Sequence, residues 1–252
     1  MNVSADRLAE LTGALGAMRV RLAHAAEAAG RRSDDVKLLP VTKFFPASDV
    51  AILWRLGCRA FGESRSQEAV AKIAEFSTLV TPRAEDRPPH WHMVGRLQRN
   101  KAKTIAAWAD TVHSVSTAKV VRALDAAVGE ALSDGTRARP LRAFVQISLD
   151  GDTERGGVDI GDPGEVDRIC GLVSEAEGLE LVGLMAVAPL GVDPDQAFAA
   201  LEAEHRRVLR DHPGATELSA GMSGDLEAAV RHGSTCVRVG TALMGKRPLT
   251  SP

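Results

Sequence analysis

Apolar positions along the chain change their rhythm once. Over the first thirty residues Leu8, Leu11, Leu15, Met18 and Leu22 recur at intervals of three and four, which places them on one face of a helix ending near Gly30. Beyond Gly30, short apolar runs alternate with helix-length amphipathic segments. The runs VKLLPVT, RAFGES, HWHMVGR, DTVHSVS, RAFVQISL, LELVGLMAVA, TELSA and TCVRVG predict strands. Helices between them are predicted to begin near Ala47, Ser66, Gln98, Ser116, Asp162, Asp193 and Ser223.

Some eight strand–helix units in 252 residues suit a (β/α)8 TIM barrel, whose typical length is about 250 residues, here with an additional N-terminal helix. A doubly wound open sheet is the competing arrangement. The turn-rich stretches TPRAEDRPPH and SDGTRARP are short enough to be barrel loops, so residues 1–252 are expected to form a single domain. Such a barrel carries its chemistry at the C-terminal ends of the strands and in the loops that follow. That directs attention to Lys43, Glu63, Arg96, Ser114, the DTERGG loop, Ala188–Pro189, Gly221 to Ser223, and Gly240–Thr241.

Composition narrows the function classes. Hydrophobic residues make up 44% and charged residues 25% of the chain, enough for a core without staples. The net charge of −2 supplies no global attraction to nucleic acid or anionic membrane. No stretch approaches the roughly 18 apolar residues of a membrane span, and the start lacks the pattern of a signal peptide, so the cytoplasm is expected. Cys58, Cys170 and Cys236 lie far apart, against a disulfide framework or thiolate metal site, and the seven histidines show no ligand spacing. The chain contains no tyrosine.

Lys43 follows the first apolar run and precedes Phe44-Phe45-Pro46. At a strand end among Val and Phe it would be partly desolvated, which favours the neutral amine and Schiff-base chemistry; the alternative is a lysine that extends out of the barrel mouth. In ELSAGMSGDLEAAV, Gly221 frees the backbone and Ser223 is placed to cap the following helix, a combination that either binds an anion or merely caps. In TCVRVGTALMG, Gly240 permits close backbone approach and Thr241 adds a hydroxyl. Barrels frequently bind phosphate at the loops after their seventh and eighth strands, where these two segments fall. Arg238 shares a strand face with Gly240 and points inward, toward a carboxylate or a ring nitrogen. The basic run Arg96, Arg99, Lys101 and Lys103 reads as a solvated face rather than a nucleic-acid site, because no aromatic residues interleave it.

These segments, in this order, resemble the YggS/PROSC group of pyridoxal 5′-phosphate (PLP) homeostasis proteins, which are related to the barrel domain of alanine racemases. VTKFFP is similar to the group's lysine strand, FGESRSQE to its F-G-E-N-x-x-Q-E, and WHMVGRLQRNK to its W-H-x-x-G-x-L-Q-x-N-K. DTERGGV, LVGLMAVAP and LSAGMSGDLEAAVRHGSTCVRVGTALMG follow in turn. The resemblance implies that Lys43 holds PLP as a Schiff base, that Ser223, Gly240 and Thr241 bind its phosphate, and that Arg238 faces its pyridine nitrogen. Ser64 departs from the group's usual Asn, Ala220 from Met and Ala186 from Thr.

An arginine can only donate, so facing the ring nitrogen it opposes the protonation that strengthens the cofactor's electron sink. Racemases with that arrangement use a second base, a Tyr from a further domain. This chain has no tyrosine, and a second domain is not expected in it. A non-catalytic PLP-binding monomer that buffers the cofactor or delivers it to PLP-dependent apoenzymes is therefore expected. The alternatives are a PLP enzyme acting on an amino acid with Lys43 as acid–base group, and a phosphate-binding barrel without PLP.

Overall fold

The computed structural model describes residues 5–81 and 88–246. Helix α1 spans Ala5–Ala28 and buries Leu11, Leu15, Met18 and Leu22 as a stripe, whereas Leu8, expected on the same face, is exposed. A left-handed Gly30 (φ +66°) ends the helix: Gly30 N–H donates to Glu27 O and Arg31 N–H to Ala26 O, both at 2.9 Å. This paired closure satisfies carbonyls that the last turn leaves orphaned.

The chain then alternates strand and helix: β1 (Lys37–Pro40), α2 (Ala47–Arg55), β2 (Ala60–Glu63), α3 (Ser66–Leu79), β3 (His90–Met93), α4 (Ala102–Trp108), β4 (Thr111–Val115) and α5 (Ala118–Ser133). It continues with β5 (Leu141–Ser148), the two-residue β6 (Val158–Asp159), α6 (Pro163–Glu175), β7 (Leu179–Ala186), α7 (Pro194–Asp211), β8 (Glu217–Ser219), α8 (Leu226–Arg231), β9 (Cys236–Val239) and α9 (Thr241–Met244). All strand pairings are parallel, in the order β1-β9-β8-β7-β5-β4-β3-β2, with β6 attached only to β5. The circle closes where Val41 bridges to Gly62 and Thr42 N–H donates to Gly62 O at 2.9 Å. The fold is thus a (β/α)8 barrel with an extra N-terminal helix, and the open-sheet alternative is excluded.

Each of the eight predicted strands overlaps an observed one; β5 starts one residue before RAFVQISL, and β8 is shorter than TELSA. The helix expected from Gln98 opens with a 3-10 turn at Arg99–Lys101 before α4. The helix expected near Ser116 is capped by Thr117, whose side chain accepts from Val120 N–H. Most of TPRAEDRPPH lies outside the described residues.

Apolar packing lies mainly outside the barrel wall, between strands and helices. One layer there holds an aromatic cluster of Trp54, Phe61, Phe76 and Trp91, with ring centroids 5.6–6.5 Å apart. Inside the barrel, among the described residues, Phe144, Val182 and Met185 form a small apolar cluster, and polar side chains share the interior. Gly183 is required where β7 meets β8: a Cβ there would lie 1.6 Å from Glu217 O. No helix among the described residues is long and apolar enough to cross a membrane.

Candidate functional site

Lys43 lies three residues past β1, at the second position of a tight turn in which Phe45 N–H donates to Thr42 O at 3.1 Å. Phe44, the third residue of the turn, has φ +71° and is the one non-glycine residue with positive φ among those described. A turn of this form ordinarily places Gly there, and a bulky residue costs about 1–3 kcal/mol. Lys43 is exposed, with Nζ 5.8 Å from the Phe44 ring centroid. Of the two readings of Lys43, partial desolvation is corrected and the alternative holds: the turn carries the lysine out of the barrel mouth instead of burying it among Val and Phe.

Beneath this turn lies a buried ionic network that the sequence did not announce. Glu63, fully buried at the end of β2, accepts from Thr42 Oγ1 at 2.6 Å and from Lys72 Nζ of α3 at 2.7 Å. The same ammonium donates to Thr42 O at 2.8 Å, so Lys72 clamps the carbonyl from which the Lys43 turn starts. Glu63 Oε2 has no hydrogen-bond partner, and burial holds the carboxyl above its usual range despite Lys72.

The loops after β8 and β9 meet. Ala242 N–H donates to Ser223 Oγ at 3.4 Å. Ser223 does not cap α8, which corrects the sequence expectation. Asp225 occupies that position, and its carboxylate takes the Met222 N–H at 2.5 Å, so the helix starts only at Leu226. Gly240 precedes α9, and a Cβ on it would meet nothing nearer than Val41 O at 3.7 Å. The protein itself thus does not need a glycine there, and the room beside the backbone remains for a ligand. Gly221, by contrast, is needed internally: it has φ +90° and an added Cβ would lie 2.6 Å from Ala229 Cβ. Thr241 is exposed. Helix α1 braces this region, with Arg21 donating to Ser223 O at 2.7 Å and to both oxygens of Glu227 at 2.6 Å.

Arg238 points inward, as expected, and is 6% exposed. Its guanidinium donates to Ser219 Oγ at 2.6 Å and Ala186 O at 2.9 Å, and no carboxylate among the described residues pairs with it. Ser219 Oγ in turn lies 2.9 Å from His113 Nδ1, and His113 Nε2 lies 2.9 Å from His92 Nδ1. Burial pushes His92 down to about 3 and His113 well below the ordinary histidine range, with Arg238 adding to the latter shift. Both imidazoles are therefore neutral, and the relay links a buried cation to the opposite mouth of the barrel. There His92 lines a cavity of about 370 Å³ with Lys37, Arg142 and Glu217. A cavity of about 820 Å³ opens on the same N-terminal face, away from the strand ends where barrels carry chemistry.

Lys43, Ser223, Arg238, Gly240 and Thr241 thus stand at or beyond the C-terminal ends of the adjacent strands β1, β8 and β9. Val41, two residues before Lys43, pairs with Val239 and is the nearest neighbour of Gly240. Sequence reasoning missed Ser219, His92, His113 and Lys72. The alternation HWH in β3 and the inward parity of His113 in β4 were the available signals for the two histidines.

The pattern of the family described as alanine racemase, N-terminal domain, matches residues 14–248. The chain belongs to this family. Within it, the pyridoxal phosphate homeostasis protein of Mycobacterium leprae is 58% identical over 253 residues, covering 100% of this chain and 98% of that protein. PipY of Synechococcus elongatus, solved with PLP bound, superposes with a TM-score of 0.73 at 32% identity, covering 89% of this chain and all of that one. The alanine racemase of Corynebacterium glutamicum shares the fold, with a TM-score of 0.62 at 17% identity; the match covers 94% of this chain and 62% of that enzyme.

The residues present fit PLP on their own chemistry. An exposed amine, a backbone cradle with room at Gly240 flanked by hydroxyls, and a buried guanidinium lacking an anionic partner correspond to an aldehyde, a phosphate and a ring nitrogen.

Proposed function

We propose that this chain is a PLP-binding protein of vitamin B6 homeostasis, a single-domain cytoplasmic monomer that buffers the cofactor and delivers it to PLP-dependent apoenzymes. Lys43 supplies the amine that holds the cofactor, the Ser223 hydroxyl and the Gly240–Thr241 backbone and hydroxyl hold its phosphate, and Arg238 faces its ring nitrogen. Bound PLP supplies an aldehyde that condenses with amines and, where the ring nitrogen is protonated, an electron sink.

The observation that carries this reading is the state of Arg238. Arginine does not lose its proton in a protein, so it donates to whatever faces it. Its bonds to Ser219 and Ala186 fix its direction, and behind Ser219 stand two neutral histidines that offer no charge to change its role. A ring nitrogen facing it stays an acceptor, and the sink stays weak. With no tyrosine in the chain, the second base of a racemase of that type is also missing. The strained Lys43 turn instead offers its amine to solvent, which suits exchange of a cofactor.

The test is to load the purified protein with PLP, present amino acids singly, and separately mix it with a PLP-free apoenzyme. The expected result is no turnover of any amino acid, and reactivation of the apoenzyme. Catalytic racemisation, decarboxylation or elimination with Lys43 as acid–base group would overturn the carrier reading in favour of an enzyme.

A further inference from the structure

Between the ends of β2 and β3 lies a cavity of about 230 Å³ which neither Lys43 nor the loops after β8 and β9 line. It divides the basic run noted in the sequence. Arg96, itself exposed, and half-buried Lys101 line it, Lys103 pairs with Glu130 elsewhere at 2.9 Å, and Arg99 is not part of the lining. Arg65 forms a third basic wall and Ser64, the departure from the family's usual asparagine, another part of the lining.

The chemistry of the walls is one-sided. No carboxylate among the described residues lines the cavity. Arg65 is paired with Glu68 at 2.7 Å, but among the described residues Arg96 bonds only a neutral carbonyl, Glu154 O at 3.1 Å. Lys101 is half-buried and has no ion-pair partner among the described residues. Two positive charges are therefore uncompensated. Ser66 Oγ already accepts from Trp108 Nε1 at 3.2 Å, which leaves its own O–H to donate. Ser66 also opens the fourteen-residue α3, whose first turn has no side-chain cap, so the positive end of the helix dipole adds to the same field. Two uncompensated cations with donors around them match a dianionic oxyanion.

We propose that this cavity is a second anion site, for inorganic phosphate or the phosphate group of a small monoester, distinct from the cradle at Ser223, Gly240 and Thr241. Its occupancy is communicated to Lys43 by contact: the Arg65 guanidinium stands 5.5 Å from the Phe44 ring centroid, and Lys43 Nζ stands 5.8 Å from the same centroid. An anion that draws Arg65 toward the cavity changes the surface against which Lys43 rests.

The experiment uses PLP-saturated protein, so that the cofactor's own phosphate fills the first cradle, and titrates inorganic phosphate at constant ionic strength. The reporter is the indole N–H resonance of Trp108, which bonds a wall of the cavity. The expected result is a saturable shift of Trp108, with Trp54 and Trp91 unmoved, and an affinity about tenfold weaker in K101Q and in R96Q, the cost of one charge-assisted bond. Equal shifts in wild type and both variants, or no saturable shift, would overturn the proposal. Acetate binding as tightly as phosphate would overturn the phosphate assignment. Cofactor loading is read separately from the visible absorbance. If no PLP band forms, the function proposed above fails, while the difference between wild type and K101Q still decides the second site.

Discussion

Replacing Lys72 by methionine removes the ammonium under the Lys43 turn while keeping a side chain of similar reach. Glu63 is 0% exposed, and among the described residues its Oε2 has no partner and Lys72 is the one cation within ion-pair distance of it. Removing one member of a buried pair costs about 3–5 kcal/mol, because the other is left charged in a medium that solvates it poorly. With a urea dependence of about 2–3 kcal/mol per molar, the unfolding midpoint of K72M should fall by about 1–2.5 M. The deficit has a pH signature. Burial already holds Glu63 above its usual range, and without Lys72 it rises further. A carboxyl whose folded pKa exceeds its unfolded value, near about 4.3, loses stability as pH rises through the folded value. The gap between K72M and wild type should therefore be largest near neutrality and narrow toward acid, where Glu63 takes up a proton in the fold. The double variant E63Q/K72M, which buries no charge, should recover most of the loss. A K72M midpoint equal to wild type, or a deficit that stays constant with pH and persists in the double variant, would refute this account of the network.

Other consequences follow from single residues. His92 and His113 are held neutral in the fold, below an unfolded value near about 6.5, so the unfolded chain takes up protons first as pH falls. Their contribution is present above that pH and is lost below it, at up to about 1.4 kcal/mol per pH unit each; urea melts from pH 7 to 5 should show the decline, shallower in H92Q. Gly183→Ala puts a Cβ 1.6 Å from Glu217 O and should abolish soluble folded protein, read by expression and circular dichroism. Gly240→Ala meets only contacts of 3.7 Å or more, so its thermal stability should stay within about 1 kcal/mol of wild type while its PLP affinity falls. Equal PLP affinity in G240A would remove that backbone from the phosphate cradle.

What could be read from the sequence follows from how a barrel is built. Its strands are covered on the outside by helices, so each leaves an apolar run, and eight such runs stood out even where the strand is as short as β8. The two residues of β6 are too few to leave a pattern. Helix ends were legible where side chains decide them, as at Asp162 and Asp193, which do cap α6 and α7. At Ser223 the decision lay with Asp225, whose bond to Met222 N–H delays the helix. Lys43 was found, but the sequence left burial and extension from the barrel mouth as alternatives, because a phenylalanine gives no sign that Phe44 adopts a backbone conformation usually reserved for glycine. Lys72 belongs to no motif in the sequence; the packing of α3 against β2 shows it to be the partner of Glu63.

The most direct measurement is the visible absorption spectrum of the protein incubated with PLP, beside that of Lys43→Ala. A band of lysine-bound PLP in the wild type, missing from the variant, is expected if the strained turn presents Lys43 to the cofactor. Equal bands in both, or none in either, would take Lys43 out of its role and leave a phosphate-binding barrel of another kind.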